Sequence, residues 1–254
     1  MVADAGTAGS TMQAPTAASA TDGEERVIDV AIIGAGLSGL CMGIRLARRG
    51  IEDFLIFEKS PDVGGTWHDN TYPGACSDVP AVLYSYSFAP NPNWSRVFPP
   101  QHEIKAYIRR CANDSGLLPK LRLATTVERA DWQEDEGLWR LQLAGGEKVR
   151  ARSLVSALGQ LNVPNIPDFP GRARFAGRAF HSARWDHEVD LTGKRVAVIG
   201  NAASALQFIP RIAKQAARLY VYQRSANYVI KRGDRAYTGF EKWLFRTLPV
   251  TQKF

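Results

Sequence analysis

The chain has 254 residues, 45% hydrophobic and 22% charged, a composition that suits one or two globular domains with real cores. Its formal charge of +7 suits a nucleic acid, an anionic cofactor or a solvated basic surface; with no long basic run and no basic–aromatic alternation, the first is disfavoured. Three scattered cysteines, Cys41, Cys76 and Cys111, have no CxxC spacing, so neither a metal site nor a disulfide framework is supported and a reducing cytoplasm fits.

Residues 1–26 are rich in Ala, Thr, Gly and Ser without a basic start or an apolar centre. They read as a disordered tail rather than a secretory signal. No run approaches the length of a membrane-spanning helix, so no membrane partner is expected. The first ordered element is an apolar run, Val27 to Ile33, with the continuous character of a buried parallel strand. It meets Gly34-Ala35-Gly36-Leu37-Ser38-Gly39, then an amphipathic run, Leu40 to Arg49, expected as a helix with Cys41 in its core face. Gly34 suits the tight turn, Gly36 the close approach of a pyrophosphate, and Gly39 the packing of helix on strand. The first helical amides would face the phosphates. A second apolar strand closes on Glu58, about 20 residues on, where a carboxylate can accept from ribose hydroxyls. Strand, helix, strand and acid in this order predict a dinucleotide site.

Ser60 to Gly74 reads as a loop, with Gly64-Gly65-Thr66-Trp67 permitting close backbone approach and offering an aromatic face. Asp78 and the stretch Val79 to Phe88, with Tyr84 and Tyr86, continue it; Asp78 on its own could simply cap a turn. Pro90 to Pro100 reads as a connector, and Gln101 to Ser115 as a helix ended by Gly116. Short runs at Leu121–Ala130, Leu138–Leu143 and Val149–Leu158 suggest an antiparallel meander that Trp132 and Trp139 cover. Leu154 to Gly159 reads as another buried strand meeting a glycine. Pro164, Pro167 and Pro170 mark an extended linker and a domain boundary.

Beyond it the first pattern recurs. Lys194–Ile199 is a strand, Gly200 to Ala205 a turn, Leu206 to Ala217 a helix with Pro210 near its first turn, and Leu219–Tyr222 a strand. Gly34 and Glu58 lie as far apart as Gly200 and Arg224, so a guanidinium replaces the carboxylate, which suits a 2′-phosphate. Lys231, Arg232 and Arg235 either thicken that positive field or form a solvated loop. The expected fold is therefore α/β: two Rossmann-like dinucleotide-binding units, 27–165 for FAD with the meander inserted and 166–254 for NADPH.

Between the units, Phe175, Gly177, His181, Trp185 and Asp186 fill the fixed places of a pattern F-x-G-x-x-x-H-x-x-x-W-[P/D]. This resembles the fingerprint of Baeyer-Villiger monooxygenases, within the class B flavoprotein monooxygenases. Gly64-Gly65-Thr66-Trp67, Tyr72-Pro73-Gly74, Ser156 to Asn162 and Gln223-Arg224-Ser225 are similar to that family as well. The resemblance implies FAD reduced by NADPH, O₂ as co-substrate, and a C4a-peroxyflavin that converts a ketone to an ester or lactone. An N- or S-oxygenating flavin monooxygenase is the second enzyme reading, with an amine or sulfide as the oxidisable substrate. It also implies FAD contacts at Gly34, Gly36, Gly39, Glu58, Gly65, Thr66, Trp67 and Tyr84, and NADPH contacts at Gly200, Ser204, Arg224 and Ser225. Asp78 resembles the active-site carboxylate, and His181 the histidine that links domain motion to cofactor binding; alone, His181 would read as structural. Ala202, where a close-approach glycine is usual, departs from the pattern. Family members are much longer, so the resemblance implies a second unit that is incomplete here. It leaves the chain as a fragment, a truncated gene product, half of a split protein that pairs with a separate C-terminal half, or an inactive FAD-binding remnant.

Overall fold

Strand β1 (Val27–Ile33), helix α1 (Leu37–Ala47) and strand β2 (Phe54–Phe57) open a computed structural model that describes residues 26–252. The tail expected over 1–26 lies outside the described residues except for Arg26, which pairs with Asp53 at 2.7 Å. Helix α1 starts earlier than the expected Leu40, because the glycine turn feeds directly into it with Gly36 as N-cap. Leu40 and Ile44, one turn apart, are buried. Cys41, expected in the core, is half-buried instead, since it lies one position off that stripe. The helix ends where Gly50 takes a left-handed conformation and the Ile51 N–H reaches back to the Leu46 carbonyl at 3.1 Å, a Schellman closure.

A short helix α2 (Thr66–Asp69) follows, then α3 (Gln101–Asp114), which buries Ile104, Tyr107, Ile108, Cys111 and Ala112 at helical spacing. The Pro- and Asn-rich connector before α3 holds a surprise. Trp94 within it is fully buried, its ring 5.4 Å from that of Tyr107. After α3 come β3 (Leu121–Arg122), β4 (Val127–Gln133), β5 (Leu138–Leu143) and β6 (Lys148–Ser156). They complete a six-stranded sheet in the order β3-β2-β1-β6-β5-β4.

Two expectations need correction here. The single run Leu121–Ala130 is two strands with different partners: β3 lies parallel to β2, and β4 antiparallel to β5. Ala124 breaks the run with a φ of +50°, and the amides of Ala124 and Thr125 bond the carbonyls of Ser60 and Glu58. Conversely, the last meander strand and the strand leading to Gly159 are one element. β6 pairs antiparallel with β5 along its first half and parallel with β1 along most of its length. Its Leu154 and Val155 are only half-buried and Ser156 is exposed, because the strand runs out into the cleft described below. Trp132 and Trp139 do face each other in register at the meander, centroids 5.6 Å apart.

Side chains alternate across β2. Phe54 and Ile56 join a cluster with α1 and α3, while Leu55 and Phe57 join one with Leu141, Val149 and Ala151 of the meander. Each such fully buried side chain contributes about 1.5–3 kcal/mol of transfer free energy. The sheet is thus gripped from both faces, which holds the carboxyl ends of β1, β2 and β6 in fixed relation.

Residues 157–171 form no helix or strand. Then β7 (Arg195–Ile199), α4 (Ala203–Ile212) and β8 (Arg218–Tyr222) follow, the strands pairing in parallel as a two-stranded sheet. Here too the helix springs straight from the turn. Pro210 therefore lies well inside α4 rather than near its first turn, and leaves the Leu206 carbonyl without an N–H four residues on. Helix α5 (Gly239–Thr247) is closed at its start by a capping box between Thr238 and Glu241. Among the described residues no helix is long and apolar enough to cross a membrane.

Candidate functional site

A cavity of about 660 Å³ opens at the carboxyl ends of β1, β2 and β6, the position where open α/β sheets bind ligands. Its floor is the Gly34–Ser38 turn. One wall is Gly64 to Trp67, and the other is Ala157 to Asn162. A Cβ built on Gly39 would stand 1.8 Å from the Gly34 carbonyl oxygen, so only glycine lets α1 sit this close to the turn. Across the floor, a Cβ on Gly36 would lie 3.6 Å from the Gly65 Cα. Two backbones therefore meet with no side chain between them, a cradle that exposes peptide groups to whatever lies above. Helix α1 has no side-chain cap and no acid in its first turn, which leaves the Leu37 and Ser38 amides directed at the cavity.

Glu58 is buried at the cavity edge, and each of its oxygens accepts a main-chain amide: Oε2 from Ala35 at 2.7 Å and Oε1 from Ser60 at 2.9 Å. The carboxylate ties β2 to the glycine turn while its remaining lone pairs face the cavity. Trp67 donates from Nε1 to the Tyr84 hydroxyl at 2.9 Å, the rings set edge-on at 5.5 Å. Burial, and to a lesser degree the Asp78 charge, pushes the Tyr84 hydroxyl upward despite that hydrogen bond.

Behind the Gly64–Trp67 wall lies a polar cluster that sequence reading missed. Buried Asp62 pairs with Lys105 at 3.0 Å and Arg109 at 3.1 Å, and Lys105 donates to His68 Nδ1 at 2.9 Å. Burial first, and Lys105 second, hold His68 below its ordinary value, against Asp62, Asp69 and Glu58. The folded protein thus keeps His68 neutral where the unfolded chain takes a proton. Stability is full above about pH 6.5 and declines as pH falls from there through His68's lower folded value. Melting curves between about pH 8 and pH 5 are expected to show this loss, and His68→Gln to shrink it. An unaltered pH profile in His68→Gln would remove His68 as the cause.

The second unit repeats the first in its main chain. Gly34 and Gly200 have φ of +105° and +102°. The Gly34 amide bonds Phe57 and the Gly200 amide bonds Tyr222, both at 2.8 Å. Gly36 and Ala202 are matching extended N-caps, and α4, like α1, has neither side-chain cap nor first-turn acid. The Ala202 methyl is exposed and meets no crowding that would distort the turn.

A flavin-binding monooxygenase-like family model matches residues 27–246. The chain belongs to the flavin-binding monooxygenase-like family. It is 47% identical over 226 residues to a Baeyer-Villiger monooxygenase of Streptomyces coelicolor, covering 89% of this chain and 43% of that protein. Among solved structures, a steroid monooxygenase bound to NADP superposes with a TM-score of 0.81 at 40% identity, over 89% of this chain and 44% of that one. A second, OTEMO in complex with FAD and NADP, does so at 0.82 and 36% identity, over 88% and 44%. The chain spans under half the length of these relatives.

As a member of the flavin-binding monooxygenase-like family, the chain shows which expected residues come together. Gly34, Gly36, Glu58, Gly65, Thr66, Trp67 and Tyr84 all line the one cavity, and Gly39 shapes it from behind. Asp78 does not line it; its side chain is exposed, with its charge felt at Tyr72 and Tyr84. His181 caps a 3₁₀ turn, its Nδ1 accepting from the Ala183 amide at 3.1 Å, away from the cavity lining. Nearby, Arg184 reaches Asp69 of the cavity wall at 3.3 Å, which ties the fingerprint segment to the cleft.

The repeat itself needs one correction. Measured from the strand ends, Glu58 corresponds to Gln223, and Arg224 to Lys59, because the second unit is one residue shorter between turn and strand end. Gln223 also reaches the glycine turn, but through a side chain: its Oε1 accepts from Asn201 Nδ2 at 2.8 Å, where Glu58 accepts the Ala35 main-chain amide. Asn201 also bonds the Ser225 carbonyl at 3.1 Å. Arg232 and Arg235 do not reinforce Arg224. Arg232 donates to Cys76 Sγ at 2.8 Å and lies over the Phe98 ring, and Arg235 is paired with Glu241 at 2.6 Å. Among the residues missed by sequence reading, Gln160 and Asn162 line the cavity; the strand-to-glycine junction at Gly159 was their signal.

Proposed function

We propose that this chain supplies the flavin and nicotinamide sites of a Baeyer-Villiger-type monooxygenase, with FAD in the cavity of the 27–165 unit and NADPH on the 166–254 unit. The observation that carries the reading is the side-chain-free cradle of Gly36 and Gly65 beside uncapped α1 and buried Glu58. A pyrophosphate fits the Leu37 and Ser38 amides, and a ribose fits the free lone pairs of Glu58. Thr66, Trp67 and Tyr84 would then border the ring system. Gly200, Ser204, Arg224 and Ser225 form the corresponding NADPH site, with Arg224 one residue past the strand-end position, where a guanidinium meets a 2′-phosphate. The bound flavin would supply the oxygen-activating chemistry on a ketone substrate. The residues of this chain orient the two cofactors and exclude water. His181, its Nδ1 lone pair used by the Ala183 amide, holds the fingerprint loop. Asp78 contributes a negative charge that is felt at Tyr84.

The test is direct. The purified chain is expected to carry FAD, or to take it up on addition, and to have that flavin reduced faster by NADPH than by NADH. A folded chain that neither retains nor binds FAD would overturn the reading.

A further inference from the structure

Neither dinucleotide site uses Tyr72-Pro73-Gly74, and the structure places this segment under α4 of the second unit. A Cβ on Gly74, whose φ is +84°, would stand 3.1 Å from the Gln207 carbonyl oxygen and 3.2 Å from Arg211 Cγ. The helix thus rests closely on the loop, and the positive φ together with the tight approach favours glycine there. The Tyr72 ring packs edge-on against Phe208 with centroids 5.9 Å apart, and its hydroxyl donates to Gln207 Oε1 at 3.2 Å. The Gln207 carboxamide then brackets Cys76: Oε1 accepts the Cys76 amide at 3.1 Å, and Nε2 donates to the Cys76 carbonyl at 3.1 Å. One side chain satisfies both main-chain groups of a residue 131 positions away, as a neighbouring strand would.

A buried cluster of Tyr72, Ala75, Val198, Ala205, Phe208 and Ile212 surrounds this contact, separate from the clusters of the six-stranded sheet. Apolar packing holds the units together but is non-directional. The paired hydrogen bonds are directional: a slide of α4 by one residue along the loop breaks both. On one side, Gln207 follows Ser204 by about one turn of the helix that starts at the Gly200 turn. On the other, Tyr72 follows Trp67 and Asp69 of the cavity wall within a few residues. The contact is therefore the short path between the two candidate cofactor sites.

We propose that Gln207 is a positioning residue: by gripping the main chain of Cys76 over Gly74, it sets the approach of the nicotinamide-carrying unit to the flavin cleft. This rests on the function proposed above. Hydride transfer is steep in distance and angle, so a misplacement of about 1 Å can cost up to a hundredfold in rate.

The experiment compares the 254-residue chain with its Gln207→Ala and Gln207→Glu variants. It measures FAD content, reduction of the bound flavin by NADPH and by dithionite, and hydrogen exchange of the 72–78 loop. Gln207→Ala is expected to keep its FAD and its dithionite rate, to lose about tenfold or more in reduction by saturating NADPH, and to speed exchange of the Cys76 amide about tenfold. Gln207→Glu keeps an acceptor for the Cys76 amide but loses the donor to its carbonyl, so it should fall between; it also carries the test if Gln207→Ala does not fold. Unchanged Cys76 exchange overturns the proposal. So does a fall in NADPH-driven reduction matched by an equal fall with dithionite, since that is a general loss of structure. If the chain binds no FAD, the function proposed above fails separately, and Cys76 exchange still decides whether the grip exists.

Discussion

Gly39→Ala is expected to lower the unfolding free energy by about 3 kcal/mol and the melting temperature by roughly 6–12 °C. The added methyl would lie 1.8 Å from the Gly34 carbonyl oxygen and 3.0 Å from its carbon, both main-chain atoms that cannot rotate aside. Helix α1 would have to lift from the turn, opening the packing of Leu40 and Ile44 against the sheet. The control is in the same helix. At Gly43 a methyl meets Ile56 Cδ1 at 2.8 Å, the far end of a flexible side chain. There the gain in helix propensity, about 1 kcal/mol, offsets most of the crowding. Urea unfolding of the two variants checks the argument. Equal losses would show that general burial, not the Gly34 carbonyl, makes glycine necessary at position 39.

Glu58→Gln is expected to cost about 2 kcal/mol in stability and at least about tenfold in flavin affinity, although it changes no volume. Each Glu58 oxygen accepts a main-chain amide, from Ala35 and from Ser60. A carboxamide offers one acceptor oxygen, and its NH₂ must then face an N–H. One of the two amides becomes a buried donor against a donor, and either the glycine turn or the exit of β2 shifts. Denaturant unfolding and flavin fluorescence titration measure the two effects separately. Stability equal to that of the parent chain would refute the clamp, whatever happens to flavin affinity.

Both effects follow from elements whose local patterns were legible in the sequence. The first strand, the glycine turn and the acid at the end of β2 obey short-range rules of spacing and stand where those rules put them, while α1 differs only in starting directly from the turn. Helix α3 is equally plain, since its buried residues recur at helical spacing and Gly116 ends it. The misses share a cause. Leu121–Ala130 reads as one apolar run, but Ala124 turns it between two partners, and that turn is held by its amides donating to the distant carbonyls of Ser60 and Glu58. Trp94 lies in a stretch whose prolines and asparagines signal a loop. Its burial comes from Tyr107, on a later helix. The Asp62–Lys105–Arg109 cluster gathers charges from α3 and from a loop far earlier in the chain, with no periodicity to announce it.

The sequence by itself determined the α/β class, the doubling of the turn and the glycines and acid that line the first cavity. These depend on glycine sterics and strand periodicity, which act over a few residues. Only the tertiary structure decided the alignment of the two copies. Equal spacing pairs Glu58 with Arg224, but the strand-end hydrogen bonds pair it with Gln223. Only the tertiary structure, likewise, brought Gly74 and Gln207 together. Their meaning lies in which main-chain groups come together between distant segments, and no spacing rule carries that information.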